Sequence, residues 1–127
     1  MNKRKNFSNK RNAILNTICS TTCHPSAKWV YNELKDDYPD LSLGTVYRNI
    51  SMFKKEGTII SVANVNGEER IDGNVTPHAH FICNQCGNIY DIFNEELTAV
   101  DNVLCGEGFH IDGKSITYYG KCNKCSW

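Results

Sequence analysis

The 127-residue chain has no run of about 18 apolar residues, which excludes a membrane-spanning helix, and no low-complexity tract or repeat, so disorder is not its expected state. It also lacks the apolar core of a secretory leader. The basic opening Met1-Asn2-Lys3-Arg4-Lys5 is followed by Asn6, Ser8, Asn9, Lys10, Arg11 and Asn12. A cytoplasmic protein is expected, and there seven cysteines point to thiolate metal ligands and free thiols before disulfides. Net charge is missing too, since 14 Lys and Arg balance 14 Asp and Glu. The balance hides an asymmetry: residues 1–60 carry ten basic and five acidic side chains, residues 61–127 four and nine. A basic half of this kind suits a polyanionic partner, although chance sorting of solvated faces gives the same split.

A chain of this length holds one domain or two small ones without a deep core in each, so one half is expected to need a staple or a partner subunit. Ser8 is placed to cap a helix running to about Thr22, with Ile14, Leu15, Ile18 and Cys19 on one face. After a break at Cys23-His24-Pro25, Ser26 caps a second helix in which Ala27, Val30, Tyr31 and Leu34 recur at helical intervals. Ser42 caps a third, with Leu43, Val46, Ile50 and Phe53 as its apolar stripe and Gly57 just beyond its end. Thr45, Arg48, Met52 and Lys55 point away from that stripe, and Tyr47 and Asn49 flank it. Thr58 to Val65, the Asn66-Gly67 pair and Glu68 to Asp72 then read as a hairpin with a type I′ turn. Three short helices and a hairpin describe a winged helix-turn-helix, with an arbitrary α+β domain as the alternative.

Gly73 to Pro77 reads as a hinge. Beyond it, His80 to Cys83 and Ile89 to Phe93 are expected strands, Leu97, Val100 and Leu104 mark a helix ending near Gly106, and Ser115 to Tyr119 forms a last strand. The expected fold class is α+β, with a winged helix in residues 1–73 and a small α/β domain in residues 74–127.

Two constellations carry chemistry. Cys83/Cys86 and Cys122/Cys125 form two CxxC pairs, and two such turns complete a four-sulfur tetrahedral zinc shell with no position open for substrate. The 35 intervening residues must then fold between the two turns. Two disulfides or four unliganded thiols are the other readings. The second constellation is His78-Ala79-His80, with Asp72 upstream and Asp91 downstream. On a strand, residues two apart share a side, so the two imidazoles can meet one ion, and added carboxylates suit Fe2+ or Mn2+. Surface or hydrogen-bonding roles fit the same residues. His24, at the break between the first two helices, is either a helix-end histidine or a fifth ligand tying the basic half to that metal. Cys19 is expected in the core and Cys105 packed at a helix end, while Cys23 lies beside His24.

These residues, in this order, resemble the ferric uptake regulator (Fur) family of bacterial metal-dependent repressors, and within it the peroxide-sensing PerR branch. The resemblance runs from about Ser8 to Cys125 and is carried by Cys23-His24-Pro25-Ser26-Ala27, by Leu41-Ser42-Leu43-Gly44-Thr45-Val46-Tyr47-Arg48-Asn49, by Asp72 through Gly87, and by Tyr119 through Cys125. It implies a homodimer with an N-terminal DNA-binding winged helix and a C-terminal dimerisation domain stapled by zinc. It also implies a regulatory Fe2+ or Mn2+ on His24, Asp72, His78, His80 and Asp91. Iron-sensing relatives often carry Glu at one or both carboxylate positions, so two Asp favour the peroxide-sensing branch. Three departures stand out. Only a short basic tail stands where many family members have a further helix, Arg48 replaces the Asn of familiar PerR proteins, and Ala79 replaces an Asp frequent between the histidines while no His occupies the Asp112 to Ser115 turn, so a further metal site of some relatives is not expected and His110 reads as a surface residue.

The expected function is metal-dependent repression, with no enzymatic activity and no small-molecule substrate beyond peroxide. Metal closes the hinge and fixes two recognition helices on a pseudo-palindromic double-stranded operator, with Thr45, Tyr47, Arg48 and Lys55 as DNA-binding residues. Peroxide then oxidises a ligand histidine, His24 or His78, and the repressor releases DNA. The alternatives are an iron- or zinc-availability repressor of the same family and a small non-haem iron enzyme.

Overall fold

Helix α1 (Lys3–Cys19) starts upstream of the expected Ser8 cap. Lys and Arg are good helix formers and no Pro or Gly interrupts the segment, so the stretch read as a short tail is helical. The structure is a computed structural model and describes residues 3–76, 78–94 and 99–126. The helix ends at Cys19, earlier than the expected Thr22, because hydroxyls compete for the backbone there. Ser20 Oγ donates to the Thr17 carbonyl, and Thr21 Oγ1 accepts the Cys23 N–H. The chain divides into two units, Met1–Val75 and Thr76–Trp127.

In the first unit, α2 (Ala27–Leu34) and α3 (Leu43–Glu56) follow α1, and both begin where the sequence places their caps. Ser26 Oγ accepts the Trp29 N–H and Ser42 Oγ accepts the Thr45 N–H, each satisfying a donor that a helix start leaves unpaired. Gly57 closes α3 in the left-handed region at φ 78°. The N–H groups of Thr58 and Ile59 bond back to the Phe53 carbonyl, so these residues serve the helix end and strand β1 (Ile60–Val65) begins two residues later than expected. Asn66 and Gly67, at φ 54° and 81°, make the turn into antiparallel β2 (Glu68–Asp72), with a bulge between Ser61 and Ala63.

The core of this unit joins Ile14 and Ile18 of α1, Val30 and Leu34 of α2, and Val46, Ile50 and Phe53 of α3 to Ile59 and Ile71 beside and within the hairpin. Cys19 is exposed, not buried as expected, because it lies one residue and about 100° round the helix from Ile18. Its backbone nevertheless closes on Gly73, where a Cβ would stand 3.0 Å from both the Cys19 Cα and Sγ. A side chain there would need Cys19 to give by a few tenths of an ångström, so the approach favours glycine.

The second unit is a three-stranded sheet in the order β4-β3-β5. Strands β3 (Ala79–Cys83) and β4 (Ile89–Ile92) run antiparallel, and α4 (Ala99–Gly106) carries the chain to β5 (Thr117–Gly120), which pairs with β3 in parallel. Leu97, read as part of this helix, and Pro77, the end of the expected hinge, lie outside the described residues. Among the described residues the buried set is small: Ala79, His80, Ile82, Cys83, Ile89 and Cys122. None of the α4 residues is buried, and Val100, Val103, Phe109, Tyr118 and Tyr119 are exposed. Cys105 is exposed as well, contrary to the expected packing, because this helix has little within its own unit to pack against. No helix among the described residues is long and apolar enough to cross a membrane.

Removing the α3 cap should have a measurable cost. Ser42→Ala is expected to destabilise the first unit by about 1 kcal/mol in urea denaturation, with the slope unchanged; an unchanged midpoint would contradict the capping role.

Candidate metal centres and DNA-facing helix

The first CxxC turn leaves the end of β3. Gly87, at φ 75°, lets its N–H return to the Cys83 carbonyl at 3.0 Å, and the Cys86 N–H points at Cys83 Sγ at 3.4 Å. The second turn leaves β5, where the Cys125 N–H bonds the Cys122 carbonyl and the Cys122 N–H also points at Cys83 Sγ, at 3.4 Å. Parallel pairing of β3 with β5 sets Cys83 opposite Gly120, so the two turns emerge at the same sheet end. All four Sγ atoms lie within 4.8 Å of one another, and Cys86 Sγ is 3.9 Å from Cys122 Sγ. A tetrahedron with zinc–sulfur bonds of about 2.3 Å has edges of about 3.8 Å, whereas a disulfide needs about 2 Å. The donor set therefore fits zinc.

The thiols do not ionise alike. Backbone N–H groups of Cys86 and then Cys122 pull Cys83 down to about 6. Cys122 is lowered chiefly by the Tyr90 hydroxyl. The Asn88 N–H favours the Cys86 thiolate, but the Cys83 sulfur, burial and the Cys122 sulfur outweigh it and raise the thiol. Cys125 is pushed up to about 12, first by the Cys122 sulfur and then by burial. Four thiolates cannot share this space without a cation.

Tyr90 was not evident from the cysteine spacing. Its hydroxyl is buried and has no fully aligned partner among the described residues, and Cys122 is the sulfur it serves. A usable signal existed in strand alternation. Asp91 pairs with His80 and Tyr90 with Phe81, so β4 sends its carboxylate to one face and its phenol to the other.

The predicted regulatory ligands occur as one group in each unit. In the first, His24 Nε2 lies 3.3 Å from Asp72 Oδ2, with both residues buried. Asp72 Oδ1 accepts the Asn74 N–H at 2.8 Å, which orients the other oxygen towards the imidazole. His24 holds φ 55°, unusual for a non-glycine residue. Arg70, also absent from the sequence expectations, secures that loop by donating to the Cys23 and His24 carbonyls, and the Ile71 N–H bonds the Pro25 carbonyl at 3.0 Å. The spacing could have shown it, since residues two apart on a strand share a face and Arg70 stands two before Asp72.

In the second unit, Asp91 Oδ1 meets His78 Nε2 at 2.8 Å and His80 Nε2 at 3.2 Å. The His78 and His80 rings are 4.4 Å apart, and His78 stacks on Phe93. His78 Nδ1 lies 2.6 Å from the Thr76 carbonyl, which can only accept, so Nδ1 carries the proton. In the neutral ring Nε2 then presents a lone pair to the Asp91 carboxylate. Such a contact is favourable only with a cation between the two or a second proton on the ring, and a carbonyl-tethered Nδ1–H is the usual support for an Nε2 metal ligand. This donor set fits a divalent ion with mixed nitrogen and oxygen preference.

On α3, Tyr47, Arg48 and Lys55 are exposed and Thr45 is half-buried, with the Arg48 guanidinium donating to Thr45 Oγ1 at 3.0 Å. Lys54 is held by Glu69 at 2.9 Å. Asn49, expected on the flank of the stripe, is buried and donates to the Thr45 carbonyl. His110 is exposed beside Asp112.

The description "Ferric uptake regulator family" belongs to the family model that matches residues 3–119. The peroxide-responsive repressor PerR of Staphylococcus aureus (strain USA300) is 32% identical over 117 residues, covering 91% of this chain and 79% of that protein. Among solved structures, the Campylobacter jejuni peroxide stress regulator matches with a TM-score of 0.80 at 25% identity, covering 94% of this chain and 91% of that one. The Helicobacter pylori ferric uptake regulator Fur, described with three functional metal binding sites, shares the fold with a TM-score of 0.82 at 19% identity, covering 94% and 81%.

Zinc uptake by the cysteine cluster should displace the protons that Cys86 and Cys125 retain near neutrality, so affinity should rise with pH, by more than one proton per ion between roughly pH 6 and 8. Competition against a chromophoric chelator across that range measures the slope, and a pH-independent affinity would contradict the four-thiolate shell.

Proposed function

The chain belongs to the ferric uptake regulator family, and from that membership we propose that it is a homodimeric, DNA-binding repressor whose regulatory metal makes it responsive to hydrogen peroxide. Residues 1–73 form the DNA-binding domain and residues 74–127 the dimerisation domain, stapled by zinc on Cys83, Cys86, Cys122 and Cys125. Fe2+ or Mn2+ is shared by His24, Asp72, His78, His80 and Asp91, so that the ion ties one domain to the other. The observation that carries the reading is the convergence of His78 Nε2 and His80 Nε2 on one oxygen of Asp91 while His78 Nδ1 is tethered to a carbonyl.

Each group then has a defined task. Asp72, oriented by the Asn74 N–H, and His24 supply the ligands of the first domain, and the tethered His78 with His80 and Asp91 supply those of the second. Arg48, Tyr47, Thr45 and Lys55 meet base edges and phosphates from the exposed face of α3, so binding weakens with salt. The apolar residues exposed on and beside α4 and β5 suit burial against a second copy, which the small core of this unit needs. Bound Fe2+ supplies the electron chemistry that splits peroxide, and Mn2+ supplies the same charge with far less of that reactivity. In net terms one peroxide oxygen is inserted at the ring of His24 or His78 and the other leaves as water. The oxidised imidazole is a poorer ligand, and the domains and the DNA are released.

A randomised duplex library selected with Mn2+-loaded protein should enrich a pseudo-palindrome. Fe2+-loaded protein given mild peroxide should release that duplex and gain one oxygen on the peptide carrying His24 or His78, with zinc retained. Release that follows metal supply without an oxygen gain would overturn peroxide sensing and leave a metal-availability repressor.

A further inference from the structure

Three successive carbonyls, those of Cys23, His24 and Pro25, are all held from β2. The Arg70 guanidinium takes the first at 2.6 Å through Nη2 and the second through Nε, and the Ile71 N–H takes the third at 3.0 Å. Nε and Nη2 lie on one edge of the planar guanidinium, so a single side chain fixes two adjacent peptide units through a rigid fork that the freely rotating ammonium of lysine does not reproduce. The restraint falls where the backbone needs it. His24 stands at φ 55°, a conformation that non-glycine residues adopt at a cost, and no helix or strand of its own encloses it. Two residues beyond Arg70 on the same strand, Asp72 Oδ2 meets His24 Nε2 at 3.3 Å.

We propose that Arg70 is a positioning residue for His24: by gripping the Cys23 and His24 carbonyls it holds the imidazole against Asp72 and couples this half of the metal site to the β1–β2 wing. The inference rests on the reading of His24 and Asp72 as ligands given above. β2 supplies both the carboxylate and the grip, so a displacement of the wing displaces both ligands together. The side chain acts through the two carbonyls it grips. Its effect is on where His24 points and how much ordering the ion must impose on binding.

The test uses full-length, zinc-loaded protein with Mn2+ as the probe, comparing the wild type with Arg70→Lys, His24→Ala and the double variant. Zinc content and circular dichroism report the fold. Arg70→Lys should weaken Mn2+ binding about tenfold or more, the usual range for loss of a group that orients a ligand, with zinc content and helicity unchanged. In the His24→Ala background the same substitution should have almost no further effect, because its action passes through His24. Normal Mn2+ affinity in Arg70→Lys, or a full additive loss in the double variant, would overturn the inference while leaving the ligand assignment standing. Normal affinity in His24→Ala would overturn both. Should the lysine variant unfold, Arg70→Gln read in the same way replaces it, and loss of helicity in both would assign Arg70 to stability alone and overturn the positioning role.

Discussion

Metal-ligating groups packed more closely than bare thiolates, carboxylates and imidazole lone pairs tolerate are the constraint on which the rest of the second unit depends. At one end of its sheet four sulfurs lie within 4.8 Å of one another, and on β3 and β4 two imidazole nitrogens approach one carboxylate oxygen. Neither arrangement is stable as a set of bare lone pairs and anions. The thiols answer by dividing, with Cys83 and Cys122 pulled towards the thiolate and Cys86 and Cys125 held as thiols. A divalent cation would remove the conflict at once, and a cross-link of that kind adds most to a unit with so few buried apolar residues among those described. The backbone N–H groups aimed at Cys83 and the phenol of Tyr90 beside Cys122 show how far the surroundings are built around charge on sulfur.

Much of the fold could be read from the chain because its punctuation is local. Ser26 and Ser42 cap helices through their own side chains, Gly57 takes the left-handed position after α3, and Asn66-Gly67 turns the hairpin; each outcome depends on a few neighbouring atoms. The first helix was misjudged at both ends because Ser8 looked like a start where the chain has no reason to begin a new element. Its end is set by hydroxyl competition at Ser20 and Thr21, which periodicity does not register. Cys19 and Cys105 were expected in packed positions on residue type alone. Their exposure follows from the angle round α1 and from the scarcity of partners for α4.

The candidate sites were legible to a different degree. Cysteine pairs three positions apart stand out because metal ligation restricts residue type and spacing, whereas histidines two apart beside aspartates fit hydrogen-bonding roles as well and took their reading from the family resemblance. What supports those ligands does not stand out. Arg70 acts through backbone carbonyls 46 and 47 residues away in sequence, and Tyr90 acts on a cysteine that follows it by 32 residues. Such contacts become visible only when β2 is set against the loop after α1 and β4 against the turn after β5. The apolar face on and beside α4 and β5 lies between these cases: its residues were recognisable as core formers, but the core they complete belongs to the proposed dimer.

On the proposed reading, one divalent ion draws ligands from both domains, and metal occupancy and DNA affinity are two descriptions of a single equilibrium. Thermodynamic reciprocity then applies without further assumption. The most direct measurement is the Mn2+ affinity of the zinc-loaded protein with and without its enriched duplex. The duplex should tighten Mn2+ binding by the same factor by which Mn2+ tightens the duplex, roughly 5- to 150-fold for couplings of this kind. An Mn2+ affinity that DNA leaves unchanged would contradict the shared ion.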